Sequence, residues 1–185
     1  MITVKVNGEE RQYPQGATYE DVANDYQKEY DNLIALAARD GKIRELFKKL
    51  TRDCEITFFT LKDNVGNKTY VRSATMLFLK AVFDVYGREA AQNCRVEFAV
   101  GNGSYISPRG QIASTADNAA KIQDRMRELV AAKTPFLKRS YALDNAMELF
   151  HTEGMKDKEK LFRYRRGSFV NIYEMDGYYD YYYGY

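Results

Sequence analysis

The sequence predicts an α+β protein made of two parts in tandem. Over the first sixty residues, short segments alternate between apolar and polar side chains, which is the period-two pattern of half-buried β-strands. A polar, turn-rich segment, DNVGNK at residues 63–68, follows them. Beyond it, helical patterns alternate with further strand-like segments. We therefore expect one domain over residues 1–62 and a second over residues 63–185.

Within the first part, the elements follow the order β-β-α-β-β-β. Alternation over residues 2–6 predicts a strand, and Asn7-Gly8 predicts a hairpin turn because both residues tolerate a positive φ. Thr18 is a good N-cap for a helix that continues to Lys28 with its apolar residues on one face. The other predicted strands are Arg11–Tyr13, Leu33–Ala37, Lys42–Leu46 and Glu55–Leu61.

The second part is organised around one strongly apolar helix. Eleven of the sixteen residues of Val71–Tyr86 are apolar and lie on nearly every face, so this helix must be buried, and Gly87 stands at its predicted C-cap. The amphipathic helix Thr115–Lys133 is expected to turn Ala119, Ile122, Met126, Leu129 and Val130 inward. Further predicted elements are a hairpin of Arg95–Val100 and Ser104–Ser107 around Gly101-Asn102-Gly103, strands at Phe136–Tyr141 and Ser168–Met175, and helices at Asp144–His151 and Lys156–Phe162.

Composition excludes several kinds of site. The 185 residues carry 28 basic and 26 acidic side chains, a formal net charge of +2 that gives no general case for nucleic-acid binding. With only His151, Cys54 and Cys94, neither a two-histidine site nor a four-cysteine zinc site can form, and we expect no metal. The sequence contains no GxxxxGK[ST] phosphate-binding loop. We find no transmembrane or signal segment and expect a cytoplasmic protein.

Two local biases stand out near the end of the chain. The segment KDKEKLFRYRR has six basic and two acidic residues. It forms either a solvated face or a patch that binds nucleic acid. The basic residues of this patch are Lys156, Lys158, Lys160, Arg163, Arg165 and Arg166. Seven of the sixteen tyrosines lie in the last thirteen residues. They either pack against a half-covered sheet or stack on a ligand. We expect the chain to be a piece cut from a longer protein.

Three stretches of the first part are similar to one known module. They are ITVKVNGEERQYPQGATYEDVA, LIALAARDGKIREL and DCEITFFTLKD. In this order they resemble the TGS domain, which is the β-grasp module at the N-terminus of threonyl-tRNA synthetases. The resemblance implies a β-grasp sheet over residues 1–62, crossed by the helix that begins after Thr18.

The second part resembles the editing domain that follows in the same synthetases. This resemblance rests on the apolar helix, EFAVGNGSYI, ADNAAKIQDRMRELVAAKTPF and GSFVNIYEMDGYYDYYYGY. Editing domains carry an HxxxH motif and a CxxxH motif. Here Arg72 and Met76 stand at the two histidine positions, Tyr182 stands at the cysteine position, and the last position falls beyond the chain. The resemblance therefore implies a degenerate cleft of Arg72, Met76, Asp180 and Tyr182 in which editing is lost, with Asp180 as the internal partner of Arg72.

The loss of the editing motifs together with the DYYYGY segment also resembles the N-terminal half of bacterial uridine kinase-like proteins. That resemblance implies a non-catalytic accessory region that contacts a kinase domain in the same parent chain. ATP and Mg²⁺ would belong to that domain, and this chain would need no cofactor. The alternatives are an RNA-binding module derived from threonyl-tRNA synthetase and a hydrolase with a rebuilt site. Besides the kinase domain, RNA or a small anionic ligand is the expected partner, and a membrane is not.

Overall fold

The computed structural model describes residues 1–101, 103–110 and 112–185. Helices and strands are both abundant, so the predicted α+β class is confirmed. The described residues divide into two compact units, one of residues 1–73 with 184–185 and one of residues 74–183. The predicted domain boundary after residue 62 stays a prediction. No helix among the described residues is long and apolar enough to cross a membrane.

The first unit contains a five-stranded sheet, one complete α-helix and the first ten residues of the helix Asn64–Tyr86. Its central strands run parallel, and the other neighbouring strands run antiparallel. The strands are β1 (Ile2–Val6), β2 (Glu9–Tyr13), β3 (Ile34–Arg39), β4 (Lys42–Glu45) and β5 (Cys54–Thr60), arranged in the order β2-β1-β5-β3-β4. Helix α1 (Tyr19–Tyr26) lies between β2 and β3 in the chain, so the predicted element order is observed.

A capping box fixes the start of α1. The Thr18 hydroxyl accepts from the backbone N–H of Asp21, and the Asp21 carboxylate accepts from the backbone N–H of Thr18. These hydrogen bonds hold the pKa of the Asp21 carboxyl below its usual value. The helix then buries Tyr19, Val22 and Tyr26 against the sheet core. It ends at Tyr26, earlier than predicted, because residues 27–29 continue as a 3₁₀ turn.

The predicted turn segment at residues 63–68 is wrong. Helix α2 (Asn64–Tyr86) begins inside it, seven residues before the predicted start at Val71. The polar residues of DNVGNK are compatible with a helix because they face solvent, whereas Val65 and Gly66 turn inward. Gly66 is needed there because a Cβ at this position would lie 2.0 Å from the carbonyl oxygen of Thr60. Gly87, at φ +86°, ends the helix as predicted.

The second unit contains a three-stranded antiparallel sheet and five helices or parts of helices. The strands are β8 (Leu137–Ala142), β9 (Phe169–Met175) and β10 (Tyr178–Asp180), in the order β10-β9-β8. The helices that lie wholly in this unit are α3 (Arg88–Asn93), α4 (Ala116–Ala131), α5 (Leu143–Thr152) and α6 (Lys156–Phe162). The sequence reasoning missed α3, whose six residues include only two buried alanines and so carry almost no helical periodicity.

Both faces of this sheet are covered by apolar clusters. Val170 and Ile172 of β9 pack with Phe150 and Phe162 from α5 and α6. Met175 belongs to the other cluster, which is built on Met76, Leu79 and Val82 of α2 and on Ile122 and Leu129 of α4. The burial predicted for Val71–Tyr86 is confirmed at Met76, Leu79 and Val82, whereas Val71 and Val85 are 45% and 36% exposed.

A separate two-stranded hairpin projects from the second unit. Its strands are β6 (Arg95–Val100) and β7 (Gly103–Ser107), which pair antiparallel with a register shift between Val96 and Phe98. The hairpin is confirmed, but Asn102 of its predicted turn lies outside the described residues.

One buried charge connects α2 to the turn between β9 and β10. Lys80 is 2% exposed, and its Nζ lies 2.8 Å from the Asp84 carboxylate and 2.7 Å from the backbone carbonyl oxygen of Asp176. The Asp176 carboxylate lies 3.3 Å away, and the ammonium also stands over the Phe83 ring. Because a buried ammonium needs partners, these oxygens fix the turn against the helix.

We predict that Lys80→Ala lowers the free energy of unfolding by about 3 kcal/mol, because it removes the buried cation that joins Asp84 to the Asp176 turn and leaves Asp84 with Arg125 alone. Lys121→Ala is the matched control, since Lys121 forms a similar i,i+4 pair with Asp117 at 2.6 Å but both side chains are more than half exposed. The control should lose at most about 0.5 kcal/mol. Urea unfolding of both variants measures the difference. Equal losses would contradict a structural role for the Lys80 ammonium.

Candidate functional site

Met76, which stands at a predicted histidine position, lies in the apolar core of the second unit. Met76 is 1% exposed and packs in the apolar cluster of α2, α4 and β9. Tyr182 is packed against the same cluster and makes an edge-to-face contact with Tyr173. The structure therefore brings these two predicted site residues into one apolar core. Neither side chain offers the imidazole or thiolate that a zinc or proton-transfer site needs.

Asp180 is the charged centre of this region. Its side chain is 4% exposed, and one carboxylate oxygen accepts from the backbone N–H of Tyr181 at 2.7 Å and from Lys158 Nζ at 3.1 Å. Burial raises the pKa of Tyr178 and Tyr182 well above the usual phenol value, and the Asp180 charge raises both further. Both phenols are therefore protonated at neutral pH and cannot act as bases.

Arg72 contacts the end of the described chain within the first unit. Its guanidinium donates to the backbone carbonyl of Tyr185 at 3.1 Å and lies against Gly184, where an added Cβ would stand 3.2 Å from Nη1. Thr69 donates to the same carbonyl at 3.3 Å. Arg72 therefore contacts Tyr185, and Asp180 contacts Lys158. The predicted pair of Arg72 with Asp180 stays a prediction.

The basic segment divides into paired and unpaired cations. Lys158 is half-buried and pairs with Asp180, Arg163 pairs with Glu159 at 2.5 Å, and Arg165 donates to the Tyr181 hydroxyl at 2.6 Å. Among the described residues, Lys156, Lys160 and Arg166 are exposed and have no ion-pair partner.

Helix α6 gives these cations a common surface. Its buried side carries Phe162, so positions 156, 160 and 163 share the opposite, exposed side. Tyr164 follows directly and is 81% exposed. We call Lys156, Lys160, Arg163, Tyr164 and Arg166 the basic ridge.

A groove that the sequence analysis did not predict lies beside α4. It encloses about 930 Å³ and is lined mainly by apolar side chains of α2, β7, the segment before α4, and α4 itself. Val130 shows why the prediction failed. Helical periodicity predicts that the Val130 side chain faces the core, but it is 62% exposed. The reason is that this face of α4 borders the groove and not a packed core.

The remaining candidate ligands are dispersed. Cys54 is half-buried in the first unit and Cys94 is buried in the second, both as free thiols whose pKa is raised by burial. His151 is exposed at the end of α5, with Nδ1 3.1 Å from a Glu159 oxygen. Among the described residues, no group of three or more His, Cys, Asp or Glu side chains is placed to hold a metal ion.

Comparison with known proteins gives one consistent result. No protein-family model matches the chain. The threonine–tRNA ligase of Rhizobium etli is 28% identical over 176 residues, which are 94% of this chain and 26% of that protein. The chain is similar to threonine–tRNA ligases. Those of Thermotoga petrophila and Hyphomonas neptunium are each 25% identical and match 92% and 93% of this chain.

The chain spans about a quarter of the length of these curated relatives. The similarity confirms the threonyl-tRNA synthetase part of the resemblance inferred from the sequence. The resemblance to uridine kinase-like proteins stays a prediction.

We predict that Lys158→Ala destabilises the protein more than Arg72→Ala does. Removing Lys158 leaves the buried Asp180 carboxylate without its cation, which should cost about 3 kcal/mol. Removing Arg72 deletes a hydrogen bond to a carbonyl, which should cost about 1 kcal/mol. Urea unfolding measures both losses.

The reverse order of losses would mean that Arg72 and not Lys158 neutralises Asp180. If Arg72 holds an anionic ligand instead, calorimetric titration with inorganic phosphate should detect binding that disappears in Arg72→Ala while stability stays nearly unchanged.

Proposed function

We propose that this chain is a non-catalytic, RNA-binding module of the threonyl-tRNA synthetase type, with a TGS-like domain over residues 1–62 and an editing-like domain over residues 63–185. The observation that carries the proposal is similarity to threonine–tRNA ligases over 94% of the chain, combined with side chains at the predicted editing positions that cannot perform the chemistry.

The sheet of the first unit supports a β-grasp assignment. β1 and β5 lie parallel in the centre, and each outer strand pairs antiparallel with its neighbour. Helix α1 packs against this sheet through Tyr19, Val22 and Tyr26. A single helix across a five-stranded mixed sheet is the arrangement that the TGS resemblance implies.

The packing at Met76 and Tyr182 supports the loss of hydrolysis. A deacylation site needs a group that activates water and an open position for the ester. Met76 has no ionisable group and is covered by core residues. The Tyr182 hydroxyl is buried without a hydrogen-bond partner among the described residues. Arg72 stays protonated and cannot serve as a general base.

The basic ridge supports RNA as the partner. Lys156, Lys160 and Arg166 are free to contact phosphates, and the exposed Tyr164 ring stands among them. Cations that follow a backbone, combined with an aromatic ring on which a base can stack, form the usual binding surface for single-stranded nucleic acid. The solvated-face alternative explains the charges but leaves the 81% exposure of Tyr164 without a role.

We predict that replacing Lys156, Lys160, Arg163 and Arg166 together by Gln weakens binding of a labelled tRNA transcript and of a short single-stranded RNA at least about tenfold. Because Arg163 is paired with Glu159, the variant removes the three free phosphate contacts of Lys156, Lys160 and Arg166, and the salt slope of binding to the single strand should fall by about 2. Fluorescence polarisation at several salt concentrations measures both quantities. The matched control replaces the exposed Lys5, Lys42, Lys62 and Lys68 of the first unit, which removes the same charge elsewhere.

The role of the aromatic ring is separated from the charge effect by Tyr164→Ala. Loss of one base stack should weaken binding by about 1–3 kcal/mol without changing the salt slope. Tyr183→Ala is the control, because Tyr183 is 83% exposed but lies outside the basic ridge. Similar affinities for the ridge variants, the control variants and the unaltered chain would refute RNA binding by this surface.

A second candidate is an accessory region of a uridine kinase-like nucleoside kinase. The packing of Met76 and Tyr182 in an apolar cluster favours this candidate, because a domain that performs no chemistry does not need to keep a cleft open. The kinase domain would be the intramolecular partner and would bring the ATP and Mg²⁺ that phosphoryl transfer requires. This chain has no phosphate-binding loop of the GxxxxGK[ST] type.

For this candidate we predict that the coding sequence continues past Tyr185 into a domain with a GxxxxGK[ST] motif. The full-length protein should phosphorylate uridine with ATP and Mg²⁺, and residues 1–185 alone should not. A radiometric kinase assay of both proteins measures this. Phosphorylation by the isolated chain, or a continuation that lacks the motif, would refute the accessory role.

A further inference from the structure

The β6–β7 hairpin exposes apolar side chains that most small domains bury. All six residues of β6 are exposed, including Phe98 at 60% and Val100 at 58%. Tyr105 of β7 is 52% exposed and stacks on Phe98, with ring centroids 5.2 Å apart. A two-stranded hairpin is only marginally stable without further strands or a covering layer. Among the described residues, β6 and β7 pair with no other strand.

The two edges of this hairpin differ in how they are protected. β6 carries Arg95 and Glu97 and contains the register shift between Val96 and Phe98. Charges and bulges are the features that block pairing with another chain. β7 reads Gly-Ser-Tyr-Ile-Ser, with no charge and no proline, and its pairing is regular from Gly103 to Tyr105. The main chain of β7 is therefore the open edge.

We propose that the β7 edge binds the β7 edge of a second copy of this chain, so that two hairpins form a four-stranded antiparallel sheet. The two-fold axis would pass beside Tyr105, which is the middle residue of the five-residue strand. Ser104 would then lie opposite Ile106 of the other copy, and Tyr105 opposite its own counterpart. No charged residue of β7 meets a like charge, because the strand has none.

The stacked rings make a second copy a better occupant than an unrelated strand. Phe98 and Tyr105 are direct cross-strand partners and share one face. Because the two-fold axis keeps the same face up in both hairpins, it would align four rings in a row of Phe98, Tyr105, Tyr105 and Phe98. Neighbouring strands are about 4.8 Å apart, which suits ring stacking. A strand without an aromatic residue at the centre would interrupt this row.

The interface is small, so the dimer should be weak. One pair of five-residue strands with a row of rings falls in the low size class of protein interfaces. We expect a dissociation constant on the order of 0.1 mM. The inference is independent of RNA binding, because the hairpin shares no residue with the basic ridge.

The test measures self-association without RNA. Sedimentation equilibrium of the whole chain, from about one tenth to about ten times the expected dissociation constant, should show a monomer–dimer equilibrium. Tyr105→Lys should weaken it at least about tenfold, because it removes a ring pair and places like charges opposite each other. Leu161→Lys is the matched control, since Leu161 is 53% exposed on α6 and belongs neither to the hairpin nor to the groove beside α4. It should leave dimerisation unchanged.

A charge-pair experiment tests the proposed register. Tyr105→Glu should also block self-association, whereas an equimolar mixture of the Tyr105→Lys and Tyr105→Glu chains should dimerise again, because each charge then faces its opposite. Circular dichroism confirms that each variant is folded. A chain that stays monomeric throughout, a dimer that Tyr105→Lys leaves intact, or a mixture that does not recover would each overturn the proposal.

Discussion

The second unit depends on the buried ammonium of Lys80. A lysine with 2% exposure is tolerated because three oxygens, from Asp84 and from the backbone and side chain of Asp176, surround it. Those contacts hold the turn between β9 and β10 against α2. This turn sets the pairing of β10 with β9. Strand β10 carries Tyr178 and Asp180. The tyrosine-rich segment is therefore positioned by a charge that lies outside it.

The sequence predicted the elements that have a strong period and missed those that do not. The alternation of β1, the Thr18 cap and the apolar second half of α2 each follow from local rules, and all are observed. The start of α2 was not predictable in the same way. DNVGNK has the composition of a turn, but it is helical because Gly66 permits close approach to Thr60, a tertiary contact that composition does not encode.

The basic bias of residues 156–166 is visible in the sequence, but the partners of its cations are not. The cleft that the motif comparison places at positions 72, 76 and 182 stays a prediction. The ion pair of Lys158 with Asp180 joins residues that are 22 positions apart, and only the fold brings them together. The same pair shows why a count of the basic residues in a segment overestimates the number of cations that can bind a ligand. Lys158 is committed to Asp180, so fewer cations are free for a ligand than the sequence suggests.

Packing and catalysis impose opposite demands on position 76. A histidine there would need an open cleft and a polar partner, because a buried imidazole without one is destabilising. A methionine instead fills the space between α2, α4 and β9, and full burial of such a side chain contributes about 1.5–3 kcal/mol. The side chain present at position 76 therefore stabilises the second unit and offers no group for proton transfer. The half-buried Tyr182 ring adds to the same cluster through its edge-to-face contact with Tyr173.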